Sequence, residues 1–260
     1  MNNSIGMKKV LILLALTIFY LVACGKSFEQ MSAREIYDYG EKKFAKKRYS
    51  AALEAYQALI DLYPFSMYAT ESELRIADSH FKKRQWAEAV SSYEAFLERH
   101  PTHPKIPRVI QNLGMSNYKQ KLAIDRDQHA TSESLRYFSK LAREYPDSTE
   151  TKESAVYLSK LKDELAKRER YIARFYWRDN EYYSSLERYL NIARLYPESR
   201  YYEEAIYYAG LCYVKLDEAK NAKRQFNLLV EKFPNGRYAN RAKEALNKLK
   251  NATDTNPTKH

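Results

Sequence analysis

Glycine is scarce, with six residues in a chain of 260. No Gly-rich loop can be assembled from so few, which excludes a phosphate cradle of backbone N–H groups. Cysteine is scarcer still: Cys24 and Cys212 alone give neither a disulfide framework nor a cysteine cluster for zinc. The histidines, His80, His100, His103, His129 and His260, show no pair four residues apart on one helix, so no metal site is expected. His100 and His103 read as turn residues. The longest apolar run, residues 10–22, is too short for a comfortable membrane span. Nothing here assembles a catalytic constellation, so the expectation is a protein that is not an enzyme and takes no cofactor.

Tyrosine, by contrast, is abundant, with 24 residues, and β-branched periodicity is weak. The chain reads as all-α. Its net charge of +11 falls by two once Lys8 and Lys9 leave with a signal. A basic surface can meet nucleic acid, anionic lipid or acidic protein. Here the basic residues are interleaved with Glu and Asp along the whole chain, as on a solvated surface, and no nucleic acid is expected.

The chain repeats itself. An apolar segment ends in a ring followed by proline at Tyr63-Pro64, His100-Pro101, Tyr145-Pro146, Tyr196-Pro197 and Phe233-Pro234. Proline lacks an N–H and disfavours helix in the residue before it, so each pair marks a helix end. Twelve residues upstream of each proline stands a small residue: Ala52, Ala89, Ser134, Ser185 and Ala222. Eight upstream stands an aromatic: Tyr56, Tyr93, Phe138, Tyr189 and Phe226. Twenty-four upstream four repeats have Gly40, Ala77, Ala173 and Gly210, and repeat three shifts its counterpart, Gly114, eight residues further back. Small residues let two helices approach, and the ring fills the space beside them. The pattern resembles the tetratricopeptide repeat, whose helix-turn-helix units stack into a solenoid.

The expected helices are residues 32–46 and 49–62, 68–83 and 86–99, 106–120 and 131–144, 181–195, then 201–215 and 218–232, with 239–249 capping the stack. Ser32 and Glu35 form a capping-box pattern. Residues 121–130 form a loop that holds the extra residues of repeat three. No Gly or Pro interrupts residues 148–177, which predicts one helix of nearly 30 residues. Cys212, beside Gly210 and Tyr213, is expected as a small buried hydrophobe. Residues 251–260 should lack structure.

Residues 1–23 read as a targeting segment: Lys8 and Lys9, the apolar run, then Leu21-Val22-Ala23-Cys24. That ending resembles the bacterial lipobox. It implies that Cys24 carries an S-diacylglycerol and an N-palmitoyl chain, and several chains together anchor stably. Gly25 in place of Asp favours delivery to the outer membrane. Residues 24–31 are then a lipidated tether.

Binding in a solenoid is expected on the face lined by the first helix of each repeat. Helical spacing from the small residue selects Arg34, Tyr37, Glu41, Phe44, Leu74, Asp78 and Phe81, then Arg108, Gln111, Met115 and Tyr118. Aromatic surface flanked by Arg suits an extended peptide.

The resemblance is narrower than the repeat alone. Tyr63-Pro64-Phe65 followed by Tyr68, His100-Pro101-Thr102-His103-Pro104 and Asp125-Arg126-Asp127-Gln128-His129-Ala130 look like the BamD family, also called ComL or YfiO. So do Phe138-Ser139-Lys140-Leu141 and Leu165-Ala166-Lys167 ahead of Tyr171 and Tyr176. Ser66 stands where the family often has Gly, and the repeat-three insertion is shorter than in enteric members. The resemblance implies a periplasm-facing, lipid-anchored scaffold of the β-barrel assembly machinery. Repeats one to three (residues 32–146) would receive unfolded outer-membrane proteins. Repeats four and five with the cap (residues 147–250) would dock on a BamA-like barrel subunit, with Arg188 and Arg194 as charged contacts and accessory lipoproteins as further partners. The alternatives are another periplasmic repeat scaffold, or a lipoprotein that binds cell wall or DNA. The mixture of Arg with Glu41 and Asp78 argues against a polyanion in the selected face.

Overall fold

The computed structural model describes residues 27–254, the last three of them by backbone alone. Residues 1–23, Cys24 and residues 255–260 lie outside the described residues. After a 3-10 turn at Phe28–Gln30 come eleven α-helices. They are α1 (Ala33–Ala45), α2 (Tyr49–Leu62), α3 (Ala69–Lys82), α4 (Trp86–Arg99), α5 (Ile106–Lys119) and α6 (His129–Glu144). Then follow α7 (Thr149–Arg178), α8 (Tyr182–Leu195), α9 (Tyr202–Lys215), α10 (Ala219–Lys232) and α11 (Ala239–Asp254). Consecutive helices pair as α1/α2, α3/α4, α5/α6, α7/α8 and α9/α10, and α11 closes against α10. Among the described residues there is no strand, and no helix is long and apolar enough to cross a membrane.

Two compact units divide the chain, one ending at Pro101 and one beginning at Thr102. The boundary falls after repeat two. The expected grouping by role, residues 32–146 and 147–250, concerns binding rather than contact.

Each pair is locked by the small residue of its first helix and the ring of its second. A Cβ on Gly40 would lie 2.6 Å from the Tyr56 ring, one on Gly114 2.6 Å from Phe138, and one on Gly210 2.5 Å from Phe226. Ala77 and Ala173 hold the same place and are fully buried, as are Tyr93 and Tyr189. Where the small residue of the second helix is serine, it adds a bond across the pair. Ser134 Oγ donates to the Gly114 carbonyl at 2.8 Å, and Ser185 Oγ to the Ala173 carbonyl at 2.9 Å.

The turn inside four repeats has one geometry. Lys47, Arg84, Asn180 and Asp217 sit at φ of 57 to 61°. Around Lys47, the Arg48 N–H donates to the Lys43 carbonyl and the Lys47 N–H to the Phe44 carbonyl. The same two bonds recur at Arg84, Asn180 and Asp217. These close the exposed carbonyls of a helix end around a left-handed residue. Asn and Asp tolerate that conformation; Lys and Arg adopt it at a cost. Repeat three lacks this turn. Its loop is organised by buried Gln128, whose Nε2 donates to the carbonyls of Ala123 and Arg126, while Thr131 Oγ1 donates to Gln128 Oε1.

Ser32 and Glu35 form the reciprocal capping box, the Glu35 N–H on Ser32 Oγ at 3.3 Å and the Ser32 N–H on Glu35 Oε2 at 2.8 Å. α7 runs 30 residues, a rod of about 45 Å. Three expectations need correction. Helix α6 starts at His129, two residues early, because Asp127 Oδ1 accepts the His129 N–H. The expected tether is folded from Ser27: Phe28 packs edge-on against Tyr39 at 5.7 Å, and Met31 accepts the Tyr63 hydroxyl at 2.7 Å. Helix α11 extends to Asp254, into the stretch expected to lack structure, since no Gly or Pro stops it before Pro257.

Two stability outcomes follow from these contacts. Gly114→Val should lower stability by roughly 2–3 kcal/mol through overpacking against Phe138, and Phe138→Leu in the same chain should recover part of it, read by thermal melting. An unchanged melting temperature in Gly114→Val would mean the pair is not in contact. Lys47→Gly and Arg84→Gly should each raise stability by about 0.5–1 kcal/mol, because glycine removes the left-handed strain; a fall in urea midpoint would contradict this.

Candidate functional site

In the first unit the selected residues are drawn into the fold. Leu74 is fully buried, and Asp78 is 6% exposed. Leu74 is therefore a core residue and not part of a binding face. Tyr93 donates its hydroxyl to Asp78 Oδ1 at 2.7 Å, and Tyr56 donates to Glu41 Oε1 at 2.6 Å. Arg75, which the spacing argument passed over, binds Glu41 at 2.6 Å and Asp78 at 3.6 Å and lies over the Phe44 ring at 4.9 Å. Burial is the largest influence on the Arg75 pKa and works to lower it, but the bond to Glu41 and the charges of Glu41, Tyr56 and Asp78 together outweigh it and the pKa rises. Burial, helped by the Glu41 bond, raises that of Tyr56. This cluster of Arg, two acids and two tyrosines is internal glue. Tyr37 is stacked on Tyr68 at 5.1 Å, and Phe81 meets Trp86 edge-on at 5.4 Å, both half-buried. Arg34 remains exposed, beside Asp38 at 3.8 Å.

What the first unit exposes is elsewhere. Phe65 is 101% and Met67 83% exposed in the turn between α2 and α3, next to Leu62 at 41%. Apolar side chains held in open solvent make this turn a candidate contact surface. Their position between two helix ends was the available signal. A hollow of about 470 Å³ also lies between α2 and α3, with Leu53, Ala58 and Ile76 among its walls.

In the second unit Gln111 donates to Glu153 Oε2 at 3.0 Å, and Tyr118 meets Tyr157 edge-on at 5.0 Å with the Lys121 ammonium 3.9 Å from its ring. Arg108 and Met115 are half-buried on the same helix. The residues Arg34, Tyr37, Glu41 and Phe81 belong to one unit and Arg108, Gln111 and Tyr118 to the other. Arg188 pairs with Glu169 at 3.3 Å and is partly exposed. Arg194 is exposed, its guanidinium donating to Asn191 Oδ1 at 2.8 Å. It borders a hollow of about 440 Å³ between α8 and α10, with Leu190, Tyr202 and Leu228.

Cys212 is fully buried, and burial pushes its thiol up to about 11, so it is a packing residue. Among the described residues no three His, Cys, Asp or Glu side chains are placed to hold a metal ion.

The chain is 26% identical over 255 residues to the outer membrane protein assembly factor BamD of Neisseria gonorrhoeae, covering 91% of this chain and 95% of that one. It is 26% identical over 175 residues to the protein of that name from Pasteurella multocida, covering 63% and 67%. Among solved structures, the TPR2AB domain of yeast Sti1 aligns at TM-score 0.40 with 16% identity, covering 86% of this chain and 87% of that one. The family model described as YfiO, outer membrane lipoprotein, matches residues 29–223, and the chain belongs to that family.

Proposed function

We propose that this protein is an assembly factor for outer-membrane β-barrel proteins, a lipoprotein that binds unfolded substrates and a BamA-like barrel subunit and catalyses no reaction itself. The observation that carries the reading is the alignment to a named assembly factor over nearly the whole of both chains. In this reading Cys24 bears the lipid, and the repeats face the periplasm.

The first unit supplies the substrate surface. The exposed Phe65 and Met67 in the α2–α3 turn, with the exposed Arg34 and the half-buried Tyr37 and Phe81 elsewhere on the unit, suit an unfolded segment rich in apolar and aromatic side chains. Because Glu41, Leu74 and Asp78 are spent on internal contacts, they support that surface from below and do not touch a ligand. Arg108, Gln111 and Tyr118 take the same role in repeat three. The barrel subunit docks on repeats four and five. Arg194 beside its hollow is the better placed contact, since Arg188 must first release Glu169. Accessory lipoproteins would share these surfaces.

The test is affinity purification of the tagged protein from detergent-solubilised outer membranes. A large barrel protein with periplasmic repeat domains should be recovered and should resist high salt. Cell-wall enzymes or nucleic acid without a barrel protein would remove the assignment. Arg194→Glu should reduce recovery of the barrel subunit several-fold while leaving the melting temperature unchanged, as expected for a surface substitution worth within about 0.5 kcal/mol of stability. Phe65→Ser with Met67→Ser should weaken photocrosslinking to unfolded outer-membrane protein with a similarly unchanged melt. A large loss of stability in the double variant would show instead that these side chains serve the fold.

A further inference from the structure

The second unit contains a cavity of about 460 Å³ along the C-terminal half of α7. Lys167, Arg170, Arg174 and Arg178 line it from successive turns of that helix. Steps of three and four residues place them on one face. Arg170 is paired with the buried Glu204 at 2.6 Å. Lys167, Arg174 and Arg178 are exposed and have no ion pair among the described residues.

Three acids of α7 are already engaged. On α7 itself, Asp163 is taken by Arg200 at 2.8 Å, Glu164 by Lys121 at 2.6 Å and Glu169 by Arg188 at 3.3 Å. With those three acids taken, Lys167, Arg174 and Arg178 are left without an ion pair among the described residues, and Asp179 and Glu181, next to Arg178 in sequence, form none with it.

One of those cations stands where other repeats place an acid. The residue after the small one is Glu41 in repeat one and Asp78 in repeat two, and each accepts the hydroxyl of the repeat's tyrosine. In repeat four that position is Arg174. The corresponding Tyr189 hydroxyl is buried without a hydrogen-bond partner among the described residues. An internal carboxylate has thus been replaced by a cation that faces the cavity.

The remaining walls are apolar. Trp177 meets Tyr208 at 5.6 Å and 84°. Tyr208 is stacked on Tyr189 at 5.3 Å and met nearly edge-on by Tyr207. Tyr208 is therefore a fixed wall and not a free platform for a stacked base. Tyr171, more than half exposed, and Ile124 complete the lining.

We propose that this cavity binds an extended acidic peptide segment of a partner protein, with one aromatic or long aliphatic side chain seated against Trp177 and Tyr208. The cationic row spans about 16 Å at 1.5 Å per helical residue, which matches five residues of extended chain at roughly 3.3 Å each. Acids at alternate positions then project to one side and meet successive arginines. The site shares no lining residue with the Arg194 hollow.

The experiment uses the full chain in detergent and fluorescence anisotropy of a short labelled peptide of alternating glutamate and serine with one central phenylalanine. Arg174→Glu and Arg178→Glu should each weaken binding roughly tenfold or more by placing like charges together. Lys152→Glu, an exposed lysine elsewhere on α7, should change it less than about twofold. Replacing the phenylalanine by serine should weaken binding, and glutamine in place of glutamate should abolish it. Melting curves identify a variant that fails to fold, and Arg178, exposed in the last turn, supplies the second reading if Arg174→Glu does. No measurable peptide binding, or equal binding by wild type and both reversals, overturns the proposal. So does tighter binding of oligothymidylate or phosphatidylglycerol vesicles than of the peptide, lost on the same reversals.

Discussion

Each repeat depends on one close approach: a residue with little or no side chain on the first helix against a ring on the second. At Gly40, Gly114 and Gly210 there is no room for a single added carbon. The constraint sets the distance between the helices, and the distance decides what the neighbouring positions can do. With the helices this near, the tyrosine hydroxyl in repeats one and two reaches back to an acid one residue beyond the small one. In repeat one that acid, Glu41, in turn recruits Arg75 from the following repeat. Packing comes first, and the polar network is built on the geometry it leaves.

The same constraint explains how a strongly basic chain distributes its charge. Ion pairs join helix to helix within each unit, as with Arg75 to Glu41, Lys121 to Glu164 and Arg170 to Glu204. These pairs are partly shielded, so they hold geometry, although each stabilises little on its own. The excess of positive charge is then left on surfaces where no internal acid remains, and the row along α7 is one such place.

The fold was legible because the small-ring spacing is a contact written directly in the sequence, and because a missing breaker predicts a long helix. Both α7 and the five pairs came out within about a residue of expectation, apart from the start of α6. The binding face was less legible. Helical spacing from Gly40 and Ala77 tells which side of a helix a residue occupies, but not whether the next helix covers it. Leu74 and Asp78 are on the expected side and are covered. Phe65 and Met67 were overlooked because a turn has no periodicity to interrogate. The left-handed Lys47 and Arg84 were hidden for a related reason: glycine is the usual signal there, and the chain does without it. Cys24 lies outside the described residues, and its lipidation rests on the sequence pattern.

Repeat arrays draw their stability from each repeat and its immediate neighbours, so they tend to melt piecemeal. Helix α7 works against that tendency inside the second unit. Its first turns pack on α5 and α6 of repeat three and its later turns on α8 of repeat four. A single hydrogen-bonded rod thus belongs to two repeats at once, and neither can unravel without breaking it. The unit from α5 to α11 should consequently lose its amide protection against hydrogen exchange as one block, with α7 among the last segments to open.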